Sequence, residues 1–307
     1  MDQDLPHSGR HLCHGITWAS GAPRLLLVPL EGGRLVHAPL IGRHLGYRAE
    51  ASGRWCTGRY RFADRFRVEP APCPDMAPAS TGAQCAACLA RDEFRFAHHA
   101  HTGGPVPEAL ALYLAQPHWL YVATFADGTT KVGTAAGPRR RSRLDEQGPL
   151  FATYLAKGPD GNAVRFVEDA LTRRLDLPQT VRSTIKLQSL ARLRDTAQAR
   201  GAHAEHVRRA TEVLSELGIP AHLCPWTPPE PCHLATTPGT DRAVYPHDLR
   251  EGEHGLRVLS LAGSLALVTL TDSSLTYLLD LSTLKGRRIT LGAHFRSPPA
   301  TVQPALF

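Results

Sequence analysis

Toward both ends of the chain, apolar residues come in short runs separated by turn residues; in the middle they take on a helical period. RLLLVPL (24–30) and RLVHAPL (34–40) flank Glu31-Gly32-Gly33, so the first fifty residues read as β. LRVLSLA, LALVTLT, LTYLLDL and RRITL are separated by Gly263-Ser264, Asp272-Ser273-Ser274 and Lys285-Gly286, which predicts a meander of strands over the last part. Whether the two β segments share one domain is left open by this pattern.

Between them, WLYVATF, Asp127-Gly128 and TTKVGT predict a hairpin over 118–135. Gly137-Pro138 opens a short helix that Gly148 closes. A second helix is predicted over 162–176, with Asn162 as N-cap and Val164, Val167, Leu171 and Leu175 on one stripe. Residues 181–217 continue as helix with an interruption near Gly201, and CPWTPPEPC (224–232) is a Pro-rich linker. Residues 51–105 show no period; they hold four cysteines and the His-rich AHHAHTGG. The chain therefore divides into a β-rich segment 1–50, a Cys-rich module 51–105, an α/β domain 106–180, a helical segment 181–223, a linker 224–240 and a β-meander 241–307. The fold class is α+β.

With 42% hydrophobic residues and 21% charged, the chain has enough apolar material for a core. It lacks an apolar run of membrane length, and its first residues lack a secretory h-region, so a cytoplasmic protein with no membrane partner is expected. The net charge of +7 comes almost wholly from arginine, 31 against 4 lysines. Lys131, Arg139, Arg140, Arg141 and Arg143 fall within 13 residues with no acid among them. That density suits phosphate, sulfate or nucleic acid, and equally a solvated helix face.

Glu168 interrupts the apolar stripe of its helix, a costly place for a carboxylate unless a cation, a metal or a hydrogen-bond network receives it. Arg165, Asp169 and Arg173 fall off the stripe and read as solvated. Tyr121 precedes the hairpin turn and Lys131 follows it. Gly133 allows close backbone approach, and Arg139 and Arg140 open the next helix. A strict two-residue Asp127-Gly128 turn would pair Thr124 with Lys131 and send Tyr121 and Lys131 to opposite faces. One site holding both needs a bulge or an odd-length loop.

Cys56, Cys73, Cys85 and Cys88, the last two a C-x-x-C, suffice for a tetrahedral structural zinc site, and a segment without a large core gains folding free energy from one. His98, His99 or His101 could replace one ligand. Cys13, Cys224 and Cys232 sit in no nucleophile context.

LYV (120–122), KVG (131–133), an arginine on the next helix and a glutamate on the helix after resemble the GIY-YIG nuclease pattern. The resemblance implies a GIY-YIG-like core flanked by the β segments and the Cys-rich insertion. It implies Tyr121 as the residue that helps activate water, Arg143 (or Arg140) as the phosphate-stabilising arginine, and Glu168 as a Mg²⁺ ligand. PHWLYVA, KVGTA, RSRLDEQG and VRFVE are in addition similar to an uncharacterised bacterial domain-of-unknown-function family over about residues 50–190, which favours Arg143. Lys131 stands where the pattern has its second tyrosine, the first motif lacks Gly-Ile, and no residue is assigned to the late asparagine.

Three functions follow as expectations. The first is a phosphodiesterase or other protein acting on DNA or RNA, with Tyr121, Lys131, Arg143 and Glu168 as catalytic residues and Gly133, Arg139 and Arg140 contacting substrate. Only 7% of residues are aromatic, and no aromatic–basic interleaving marks a base-stacking surface. The second is a specialised-metabolism enzyme acting on a phosphate- or sulfate-bearing small molecule. The third is a non-catalytic zinc-containing module for a protein partner.

Overall fold

The computed structural model describes residues 6, 8–51, 53–97, 100, 103–104, 106–239, 242–271, 273 and 275–300. These fold as two compact units, Met1–Gly58 with Pro72–Ala86 and Pro229–Phe307, and Arg59–Ala71 with Ala87–Pro228. Among the described residues no helix is long and apolar enough to cross a membrane.

The first unit is built on a nine-stranded sheet drawn from both chain ends. His44–Ala49 lies between Gly252–Ala262 and Arg288–Gly292, antiparallel to both. Ser8–Ala19 pairs with Arg288–Gly292 on one side and Ala22–Pro29 on the other. The alternation of period two places Leu25, Leu27, Leu45, Tyr47, Leu256 and Val258 in one core. An N-terminal strand buried between two C-terminal ones depends on contacts more than 200 residues apart in the chain, which no local pattern encodes.

The second unit holds a four-stranded antiparallel sheet in the order Cys224–Pro225, Phe151–Gly158, His118–Thr124, Thr130–Ala136. A separate hairpin pairs Arg59–Phe62 with Val68–Ala71. One sheet face, with Leu120, Val122, Val132 and Leu155, packs on the helices Gly161–Leu175 and Ala197–Glu216. Val164, Leu171 and Leu175 are the buried apolar side chains of the first helix, each contributing about 1.5–3 kcal/mol of burial before entropy is counted. The other face, with Trp119, Tyr121, Ala123 and Tyr154, packs on Leu144 and Trp226.

Three local expectations need correction. The N-cap of the Gly161–Leu175 helix is Asp160, whose Oδ1 accepts from the Ala163 amide at 2.8 Å, rather than Asn162. The helical stretch after residue 181 breaks at 192–196 into Ser183–Ala191 and Ala197–Glu216, while Gly201 lies inside the second helix. A break there is reinforced by Asp195, whose carboxylate accepts from the Ala197 amide at 2.8 Å. The hairpin turn spans five residues, because the Phe125 amide donates to the Thr129 carbonyl at 2.9 Å and Asp127 caps the Thr129 amide.

His203, on the Ala197–Glu216 helix, ties this helix to the sheet. Its Nδ1 lies 2.9 Å from Thr124 Oγ1 and its Nε2 2.9 Å from Thr153 Oγ1. Thr124 meets Thr130 at 2.8 Å, and Thr130 Oγ1 donates to the Gly128 carbonyl. A neutral ring satisfies both contacts, with Nδ1–H donating to Thr124 and Nε2 accepting from Thr153. Burial, with a smaller contribution from His206, lowers the His203 pKa to about 4. The folded value is below that of a free histidine, so this contribution is complete above about pH 6.5 and lost as pH falls toward 4. His203→Ala, which removes the partner of the Thr153 hydroxyl and one of the two partners of Thr124, is expected to cost about 1–3 kcal/mol in denaturant melts at pH 7 and to flatten the stability profile between pH 6.5 and 4.

Candidate functional site

Two chemically distinct sets of side chains stand out, a cysteine cluster and a charged cleft. The Sγ atoms of Cys56, Cys73, Cys85 and Cys88 all lie within 4.8 Å of one another. Thiolates about 2.3 Å from a tetrahedral ion sit roughly 3.8 Å apart, so the cluster is able to hold a metal ion. Three of the four are buried and all are free of disulfides. The Gly58 amide donates to Cys56 Sγ at 3.3 Å, a contact that favours charge on sulfur. The backbone around the cluster is pinned by Cys56 N to Ala77 O, Thr57 N to Ala83 O and Ala79 N to Arg54 O, each at 2.8–2.9 Å. His98, His99 and His101, considered as substitute ligands, lie outside the described residues. Cys13 is fully buried elsewhere and burial pushes its thiol up to about 12, which makes it inert.

The charged site belongs to the second unit. The five-residue turn pairs Ala123 with Lys131 and Tyr121 with Gly133. Tyr121 and Lys131 therefore share a face, as one site requires, where a two-residue turn would have separated them. Tyr121 lies directly over Gly133: a Cβ added there would sit 2.5 Å from the Tyr121 Cζ and Oη atoms. Gly133→Ala is expected to displace the ring and the charged groups around it while leaving secondary structure intact. Near-ultraviolet circular dichroism measures this, and an unchanged tyrosine signal would sink it.

Tyr121, Lys131 and Glu168 are almost inaccessible, at 0%, 3% and 4% exposure. The Tyr121 hydroxyl makes no hydrogen bond of good geometry among the described residues, although the Arg143 guanidinium is close enough to oppose its burial-driven rise in pKa. Lys131 Nζ lies 6.0 Å from the Tyr121 ring centroid. Burial first, then Arg143 and Lys186, lower its pKa to about 7 against a pull upward from Glu168. Glu168 is shifted up by burial and held down by Arg165, Lys131 and Arg143. Its Oε2 accepts from Arg165 Nη1 at 3.2 Å.

Arg143 and Arg165, which interact with these groups, also line a cleft of ≈ 640 Å³, its solvent-filled mouth included, whose walls do not include Tyr121, Lys131 or Glu168 themselves. Arg139, Arg143, Arg165, His118, Tyr113 and Phe94 are among its walls. Arg139 also pairs with Glu146 at 2.7 Å. Helix geometry creates the convergence. Arg143 lies on Arg140–Gln147, a helix closed by Gly148 at φ 61°, and Arg165 projects from the first turns of Gly161–Leu175. Three arginines against Glu146 and Glu168 leave the surroundings of the cleft with a net positive charge.

The predicted residues are thus partly brought together. Tyr121, Lys131, Arg143 and Glu168 interact with one another and Gly133 lies under Tyr121, while Arg139 joins Arg143 on the cleft wall; Arg140 instead stacks over Trp119 and Tyr154 at 4.8 and 5.5 Å from the ring centroids and is not part of that wall. Arg165, read from the sequence as solvated, is only 17% exposed in its side chain and pairs with the buried Glu168. The i,i+3 spacing from Arg165 to Glu168 was the available signal. His118, Tyr113 and Lys186 were missed, and nothing local marks them.

Glu168, the residue expected to hold Mg²⁺, is paired here with Arg165. Glu168 is one carboxylate with three cationic neighbours, and the cysteine cluster is the only group of three or more metal-ligating side chains found among the described residues.

Comparison of the chain with family models, curated proteins and solved structures finds no match. What the fold and sites define is a mixed α+β protein with a four-cysteine cluster able to hold a metal ion and a separate cleft lined by three arginines.

Proposed function

We propose that the protein binds a small phosphate- or sulfate-bearing molecule in this cleft and acts on its ester bond, with structural zinc in the cysteine cluster. The observation that carries this reading is the convergence of Arg139, Arg143 and Arg165 on one cleft, with Arg143 and Arg165 interacting in turn with the buried Tyr121, Lys131 and Glu168. Arginine forks match tetrahedral oxyanions and stabilise charge that develops on them. Lys131, with a pKa of about 7, supplies a group that can take the proton of an attacking water near neutral pH. Glu168 orients Arg165 through their ion pair.

Calorimetry with inorganic phosphate and sulfate tests the grip, and turnover of p-nitrophenyl phosphate, bis(p-nitrophenyl) phosphate and p-nitrophenyl sulfate tests the chemistry. Arg143→Ala is expected to weaken phosphate binding about ten-fold or more. Binding without turnover would support a non-catalytic module. Failure of every anion to bind overturns the reading.

A second reading, a nucleic-acid phosphodiesterase on a GIY-YIG-like scaffold, has one observation in its favour. Residues 118–175 run strand, strand, helix, strand, helix, with Tyr121 and Lys131 on one face, Arg143 on the first helix and Glu168 on the second. Cleavage of single- or double-stranded substrates with Mg²⁺ or Mn²⁺, and salt-dependent binding to them, would favour it over the small-molecule reading.

A further inference from the structure

We propose that the molecule bound in the cleft is a free nucleotide, its phosphate on Arg139, Arg143 and Arg165 and its base against Phe94. This rests on the reading of the cleft as an oxyanion site. Phe94 and Tyr113 line the same cleft as the three arginines. They belong to a run of rings: Tyr60 lies 6.4 Å from Phe94, Phe94 5.7 Å from Tyr113, and Tyr113 6.0 Å from His118, centroid to centroid. Phe62 joins it at 6.0 Å from Phe94 and 5.4 Å from Tyr113. Tyr60, at the outer end, is 42% exposed.

A plain aromatic core would account for rings that are buried on all sides. Phe94 differs in being half-buried at a cationic cleft, and its ring neighbours meet it at 50°, 59° and 77°, none of them stacked in parallel on its face. A flat base can take that position. The rings are also held in place without a ligand. Asp92 accepts from the Tyr60 and Phe94 amides at 3.1 and 2.9 Å, and Glu93 from the Phe62 amide at 3.1 Å. Ordering costs on binding are correspondingly small. The alternation of basic and aromatic residues in RYRF (59–62), RFR (65–67) and FRF (94–96) corrects the expectation that no such interleaving exists. It is split between two distant stretches, and folding joins them.

The test is calorimetry of the full chain with inorganic phosphate, ribose 5-phosphate, AMP and a six-nucleotide single strand. AMP is expected to bind about ten-fold tighter than ribose 5-phosphate, the factor one stacked ring supplies. Phe94→Leu should reduce that ratio below about three. The wild type also serves alone: the fluorescence of 2-aminopurine riboside 5′-monophosphate should be quenched on binding. Equal affinity for AMP and ribose 5-phosphate, or binding with unchanged fluorescence, overturns the nucleotide assignment while the oxyanion reading stands. A strand that binds more than about ten-fold tighter than AMP overturns it in favour of single-stranded nucleic acid. If phosphate, ribose 5-phosphate and AMP all fail to bind, the oxyanion reading itself falls.

Discussion

Removing metal from the four-cysteine cluster is expected to lower the melting temperature by roughly 10 °C or more, and to loosen the backbone around residues 54–90 before the rest. The physical reason is the poverty of that segment in other sources of order. Its regular elements are the short strands Arg59–Phe62 and Val68–Ala71 and a five-residue helix, Ala86–Ala90. Four sulfurs within 4.8 Å are held together favourably when a cation shares their charge and unfavourably when each is a separate thiolate. We expect about one equivalent of zinc per chain in protein purified without chelator. Cys73→Ser should lower the metal content and the melting temperature together, whereas Cys13→Ala should leave the metal content unchanged. Less than about half an equivalent of metal in the wild type would count against the site, and so would a chelator that leaves amide exchange of residues 54–90 as it was.

Lys131→Met is expected to stabilise the protein at pH 6 and to leave its stability almost unchanged at pH 10. The Lys131 pKa falls from the ordinary lysine value to about 7, chiefly through burial, with Arg143 and Lys186 adding to the fall. Between about pH 7 and 10.5 the unfolded chain therefore binds a proton that the folded chain does not. Stability contributed by the neutral amine is complete above the unfolded value and is lost as pH falls through about 7. The full cost of the charged form has an upper bound of about 5 kcal/mol, reduced in practice by relaxation and by Glu168. Denaturant melts of wild type and Lys131→Met at pH 6, 8 and 10 measure the difference. Equal stability of the two at pH 6 would show that the amine is well solvated and not a poised group. Lys131→Arg provides the contrast, because arginine keeps its charge throughout this range and should lower stability at every pH. A side chain that costs stability at neutral pH is tolerated most readily where function uses it.

Much of this architecture was legible in the residues. Val164, Leu171 and Leu175 mark the Gly161–Leu175 helix, and Glu168 within their stripe already signals that a cation must meet it, because helical period and desolvation are local properties. The four cysteines likewise announce a metal cluster, since thiol chemistry depends on residue type and a few spacings. The face shared by Tyr121 and Lys131 was decided by tertiary structure, through a five-residue turn whose length one alternation cannot reveal. So were the burial of Arg165, the approach of Phe94 and Tyr113 to the arginines, and the insertion of His44–Ala49 between two C-terminal strands. Each of these depends on which distant segments come into contact. Hydrophobic periodicity reports which face of an element is apolar, and leaves its partner to be chosen by packing of the whole chain.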